Sequence, residues 1–131
     1  MVNLYINERT VGNVTILDLK GRVRMGGGAV ELHKAIRCVL DEGKTEILLN
    51  LSGVTHIDSS GLGELVSSHI SVSNKGGEIK LSHLTDRLRD LMTITKLLTV
   101  FDVYDNESEA VASFTGKVVK VVQRQPFSVS V

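Results

Sequence analysis

Short apolar runs and helically spaced apolar positions take turns along this chain. Val2–Asn7 and Asn13–Leu19 read as strands, and Glu8-Arg9-Thr10-Val11-Gly12 between them reads as a turn, so the chain is expected to open with a hairpin. Lys20-Gly21-Arg22-Val23-Arg24-Met25-Gly26-Gly27-Gly28 reads as a loop. Leu32, Ala35, Ile36, Val39 and Leu40 then recur at helical spacing, with Gly43 at the expected C-cap. Thr45–Leu51 is apolar enough for a central strand buried on both faces. Leu62, Leu65, Val66, His69 and Ile70 mark one face of a second helix that ends at Asn74-Lys75-Gly76-Gly77. Glu78–Ser82 reads as a short strand. Leu84, Leu88, Leu91, Met92 and Thr95 suit a third helix with Thr85 as its N-cap. Val100–Tyr104 reads as a last strand, and Asp105 or Asn106 is placed to cap a final helix carrying Ala110, Val111 and Phe114.

A hairpin followed by alternating helices and strands predicts an α/β single domain. Crossover connections of this kind give a mostly parallel mixed sheet covered by helices. The domain is expected over residues 1–115. Residues 116–131 differ in character: Lys117-Val118-Val119-Lys120-Val121-Val122 is rich in β-branched residues and precedes the only proline, Pro126. That tail is read as an extra edge strand, a flexible arm, or a surface for a second copy in a homodimer.

Composition narrows the function. The 131 residues carry 15 basic and 15 acidic side chains, which argues against an electrostatic nucleic-acid binder. No stretch approaches the roughly 18 apolar residues of a membrane span. The opening Met1-Val2-Asn3-Leu4-Tyr5 lacks the basic start and apolar core of a signal peptide, so a cytoplasmic location is expected. Cys38, the only cysteine, falls in an apolar helical pattern and is read as a buried small hydrophobe. His56, His69 and His83 do not share metal-ligand spacing, and His69 is read as a hydrogen-bonded core histidine. Gly26-Gly27-Gly28 lacks the Gly-Lys-Ser/Thr ending of a phosphate loop, and the serine segment below lacks the Gly-x-Ser-x-Gly elbow of a hydrolase. No catalytic, cofactor or metal site is therefore expected, and an enzyme is the disfavoured reading.

The segment Asp58-Ser59-Ser60-Gly61-Leu62-Gly63-Glu64-Leu65 is the most informative feature. It follows a buried strand and opens a helix. A helix start offers unpaired N–H groups and a partial positive charge, which accommodate a phosphate. Ser59 or Ser60 as a simple N-cap, with Asp58 as helper, is the plain alternative, worth roughly 1 kcal/mol for a serine cap. Yet the segment holds more capping groups than one helix start uses. Gly61 and Gly63 cost helix stability of roughly 1 kcal/mol each while permitting close backbone approach.

Ile57-Asp58-Ser59-Ser60-Gly61-Leu62-Gly63-Glu64-Leu65 resembles the signature of the bacterial anti-sigma factor antagonists, the STAS-domain family. Leu19-Lys20-Gly21-Arg22-Val23, Asn50–Asp58, Gly76–Leu81 and Leu97–Tyr104 resemble further parts of that family, from about Leu4 to Phe114 in register. The resemblance implies a STAS-like fold and a phosphorylation-switched binding module. In that family the unphosphorylated antagonist binds an anti-sigma factor with serine kinase activity and frees the sigma factor. Phosphorylation ends binding, and a serine phosphatase reverses it. Carried over, Ser59 is the phosphoacceptor, with Ser60 the alternative, and Asp58 is its acidic neighbour. The docking surface is expected to combine Asp58, Ser60, Gly61, Leu62 and Gly63 with Arg22 and Arg24 of the preceding loop, Leu62 also fitting the core face. Family members often carry an acid after the Gly21-Arg22-Val23 position, where this chain has Arg24. A STAS component of a larger signalling assembly, without direct sigma-factor control, is the alternative function.

Overall fold

Ile47, Leu48 and Leu49 are each fully buried, as a strand covered on both faces demands. The computed structural model describes residues 4–114, and every other element is arranged around this strand. In chain order the elements are β1 (Leu4–Val11), β2 (Val14–Val23), α1 (Gly28–Asp41), β3 (Glu46–Ile57), α2 (Ser59–Asn74), β4 (Glu78–Ser82), α3 (Asp86–Ile94), a 3₁₀ turn (Leu97–Thr99), β5 (Val103–Tyr104) and α4 (107–114). The sheet runs β1-β2-β3-β4-β5, with β1 antiparallel to β2 and the remaining pairs parallel. The expected fold class is therefore found. The tail expected at residues 116–131 lies outside the described residues.

The two sheet faces are unequal. Leu17, Leu19, Ile47, Leu49, Leu51 and Leu81 point to a large core closed by α1, α2 and α3. Val14, Ile16 and Leu48 point the other way and meet Ala110 and Phe114 of α4 in a smaller second core. Asn106 caps α4 by accepting from the Glu109 N–H at 3.1 Å, and Thr85 caps α3 by accepting from Leu88 at 3.2 Å, both as the sequence predicts.

Several expectations need correction, the last strand among them: it covers only Val103–Tyr104, not Val100–Tyr104. The hairpin turn is only Gly12-Asn13, because Glu8–Val11 pair with Val14–Leu17 as strand. Lys20–Val23 are strand, not loop, and β3 continues from Leu51 to Ile57. Both extensions pair across two register shifts, between Asp18 and Lys20 and between Gly21 and Arg22. These bulges absorb Gly21, which read as part of a loop, together with Ser52 and Gly53 of β3. Cys38 is exposed, since the buried face of α1 is set by Leu32, Ile36, Val39 and Leu40, and position 38 falls on the opposite side. His69 is half-buried, but its Nδ1 has no hydrogen-bond partner among the described residues; the ring instead packs edge-on to Phe101 with centroids 5.4 Å apart.

Arg9 ties three elements together. Its guanidinium donates to Asp18 on β2, at 2.7 and 3.1 Å, and to Glu107 on α4, at 3.0 Å. The Asp18 carboxyl is held down at about 2 from 3.8, first by Arg9, with help from Asn50 and Asn7 and against the opposing effect of burial. Arg9 is over a third exposed, so solvent screening limits what the network contributes. Arg9→Ala is expected to cost about 1 kcal/mol, a fall in melting temperature of roughly 4 °C near neutral pH. A folded-state pKa below the unfolded one stabilises above the unfolded value, and that stability is lost as pH falls through the folded value. The gap between wild type and Arg9→Ala should thus narrow as pH falls from 3.8 to about 2, as followed by thermal melts.

Candidate functional site

The end of β3 delivers Asp58 to the first turn of α2, and backbone contact with β2 fixes it there. The Asp58 N–H donates to the Val23 carbonyl at 3.4 Å. Asp58 itself has extended backbone and is the N-cap of α2: its Oδ1 accepts from the Gly61 N–H at 3.0 Å. Its second oxygen, Oδ2, accepts from the Met25 N–H at 3.1 Å. One carboxylate therefore caps the helix and anchors the turn between β2 and α1. Those backbone donors, Met25 first and then Gly61, hold its pKa below the ordinary carboxylate value, so the charge is fixed at neutral pH.

This division of labour leaves both serines free of capping duty. Ser59 is exposed, and its hydroxyl has no hydrogen-bond partner among the described residues. Ser60 is half-buried. Ser59 opens α2, where orphan N–H groups and the helix dipole favour added negative charge.

The two glycines that follow have different jobs. A Cβ on Gly61 would lie 2.1 Å from the Val23 carbonyl oxygen and 2.7 Å from Ile57 Cγ1. Gly61 is buried by its own fold, and its smallness serves the α2–β2 contact. Gly63 is exposed, with nothing within 4 Å of an added Cβ, so its surface is open. Leu62 is only 8% exposed and belongs to the large core, in line with its fit to the core face.

The triple glycine is not a free loop. Gly28 already belongs to α1, and a Cβ there would fall 1.8 Å from the Arg22 carbonyl oxygen. The Ala29 N–H donates to the Arg24 carbonyl at 2.9 Å, closing the turn. Arg22 at the end of β2 and Arg24 and Met25 in this turn are exposed, Met25 74% so. Of the residues expected at a docking surface, then, Asp58, Ser59, Gly63, Arg22 and Arg24 share one accessible end of the domain with half-buried Ser60, while Gly61 and Leu62 turn inward. Two residues there carried no signal in the sequence. His56 stands opposite Arg22 in the β2–β3 register, and Arg87 of α3 lines a shallow cleft with it. Only the parallel pairing of β2 with β3 and the placement of α3 bring these groups together. Among the described residues no set of side chains is arranged to hold a metal ion, and no helix is long and apolar enough to cross a membrane.

The model of the STAS domain matches residues 5–110. The anti-sigma-B factor antagonist of Bacillus subtilis (strain 168) is 28% identical over 102 residues, 78% of this chain and 92% of that protein. A Thermotoga neapolitana homolog of TM1081, provisionally named an anti-sigma factor antagonist, is 38% identical over 60% of this chain and 69% of its own. Among solved structures, an anti-sigma factor antagonist from Mycobacterium paratuberculosis superposes with a TM-score of 0.76 at 20% identity, covering 86% of this chain and 94% of the other. The Bacillus cell fate determinant SpoIIAA in its phosphorylated form gives 0.65 at 18% identity, covering 83% and 98%. The sulfate transporter family protein from Wolinella succinogenes gives 0.72 at 24%, covering 84% and 92%. At these identities the structures share the fold alone.

The contrast between the two glycines is testable by thermal melts. Gly61→Ala should destabilise the fold by about 1–3 kcal/mol or more, because the clash is with backbone. Gly63→Ala should leave stability unchanged or raise it by up to about 1 kcal/mol, the helix preference of alanine over glycine. Equal effects would show that the α2–β2 approach is looser than these distances imply.

Proposed function

Because the chain belongs to the STAS domain family, we propose that it is an anti-sigma factor antagonist switched by phosphorylation of Ser59. Unphosphorylated, it binds an anti-sigma factor with serine kinase activity and releases the sigma factor. Phosphorylated, it lets go until a serine phosphatase restores it. The names of its curated relatives support the antagonist role. The observation that carries the switch is the engagement of Asp58 by Gly61 and Met25, which leaves the adjacent Ser59 hydroxyl exposed at a helix start.

Phosphate brings about −1.5 to −2 charge at neutral pH. At the first turn of α2 that charge meets N–H groups and the positive end of the helix, so the fold tolerates it. The binding loss then arises in the complex, where the phosphate beside Asp58 must be desolvated on docking. The alternative, a STAS component of a larger signalling assembly, predicts co-purification in a large complex with no dependence on a kinase.

Incubation with the cognate kinase and ATP should place phosphate on Ser59 by mass spectrometry; phosphate on Ser60 alone would move the acceptor by one residue. Ser59→Asp should melt like wild type but bind the kinase more weakly in titration calorimetry, whereas Ser59→Ala still binds. Equal affinity of all three proteins would remove the electrostatic basis of the switch.

A further inference from the structure

Three arginines from two separate parts of the chain surround His56, two residues before Asp58. Arg22 lies at the end of β2, opposite His56 of β3 in the sheet register. Arg24 lies between Val23, whose carbonyl accepts from Asp58, and Met25, whose N–H donates to it. Arg87 comes from the first turn of α3 and lines the same cleft as His56. All three side chains are exposed, and none has a carboxylate within ion-pair distance among the described residues, unlike Arg9 and Arg89. His56 feels them together: desolvation first, then Arg24, Arg22 and Arg87, hold its pKa below the ordinary imidazole value. The carboxylates nearby in sequence are Asp58, already engaged by two backbone N–H groups, and Asp86 and Asp90 on α3, neither of them within ion-pair distance of Arg87.

We propose that Arg22, Arg24 and Arg87 form a docking patch for an acidic surface of the protein partner, and that phosphate on Ser59 ends docking by reversing the sign of this patch. The second half rests on the switch described above. Arg24, Arg22 and Arg87 all act on His56 and no carboxylate counters them there, so the surface at this point is positive in a chain with no formal net charge. Solvated like charges left unpaired around one residue raise the local potential and speed encounter with an oppositely charged surface. A group carrying about −1.5 to −2 charge at the adjacent helix start is large enough to invert that potential. The same patch thus attracts the partner before modification and repels it afterwards, with no change in fold. Arginine suits this role because its planar fork pairs with carboxylates through two parallel hydrogen bonds.

A decaglutamate peptide serves as the probe for an acidic surface, titrated into the ¹⁵N-labelled full chain at low salt. Shifts should centre on Arg22, Arg24, Arg87 and His56. Binding should weaken about tenfold in Arg22→Glu/Arg24→Glu, and also in Arg87→Glu, which alters a separate element. It should weaken similarly on Ser59 phosphorylation and fade as salt rises from about 50 to about 500 mM. Shifts centred elsewhere, or equal binding by the arginine variants, would overturn the patch. Tighter binding of a DNA oligonucleotide than of the peptide at these residues would overturn the assignment to a protein partner. Parallel titrations of the purified anti-sigma factor separate the two claims. If Ser59→Asp abolishes its binding while the arginine variants bind like wild type, the patch falls and the switch stands. If the arginine variants lose binding while Ser59→Asp binds like wild type, the patch stands and the switch falls.

Discussion

The approach of the α1 and α2 starts to the end of β2, too close for a Cβ at Gly28 or Gly61, is the contact on which the rest of the site depends. Both helix starts press on the same short stretch of strand, Arg22-Val23, through its carbonyl oxygens. That stretch can reach them because two bulges carry the β2–β3 pairing past Leu51, lengthening β3 to Ile57. The large core then holds the arrangement from below: Val23, Leu62 and Leu65 are buried within it. The result is a corner whose backbone is over-determined by packing and whose exposed groups are free to face a partner.

Within that corner the chemistry is divided between neighbours. Asp58 spends both carboxylate oxygens on backbone donors, one in α2 and one in the β2–α1 turn. Ser59, next in sequence, spends its hydroxyl on nothing within the described residues. A structural acid beside an idle hydroxyl is the arrangement expected where added charge must alter the surface and spare the fold. On this account the corner's electrostatics, set by Arg22, Arg24 and Arg87, decide the partner, and the helix start decides where the modification can be borne.

Much of the fold was legible in the sequence because its signals are local. Ile47-Leu48-Leu49 announced a strand buried on both faces, and Thr85 and Asn106 announced helix starts by the ordinary capping rules. Asp58-Ser59-Ser60 stood out by its surplus of capping groups, although only the structure shows that Asp58 takes the cap. Misreadings arose where tertiary contact overrides a local signal. Lys20–Val23 read as loop and is strand, and the central strand expected to end at Leu51 runs to Ile57, because bulges carry the pairing onward. Gly61 and Gly63 look alike, yet one is a packing requirement and the other an open surface. Arg9 read as part of a turn and instead joins β1, β2 and α4. Arg87 gave no sign of its place beside Arg22 and Arg24, which depends on how α3 docks.

The central claim is that phosphate at Ser59 changes the surface of this corner without changing its backbone. Amide hydrogen exchange at Met25 and Gly61, measured in the unmodified and the Ser59-phosphorylated protein, tests it directly, because both amides donate to Asp58. The account predicts that both stay protected to the same degree after phosphorylation. Loss of protection at either amide would show that the phosphate displaces the Asp58 carboxylate or melts the first turn of α2, and that the switch works through the fold.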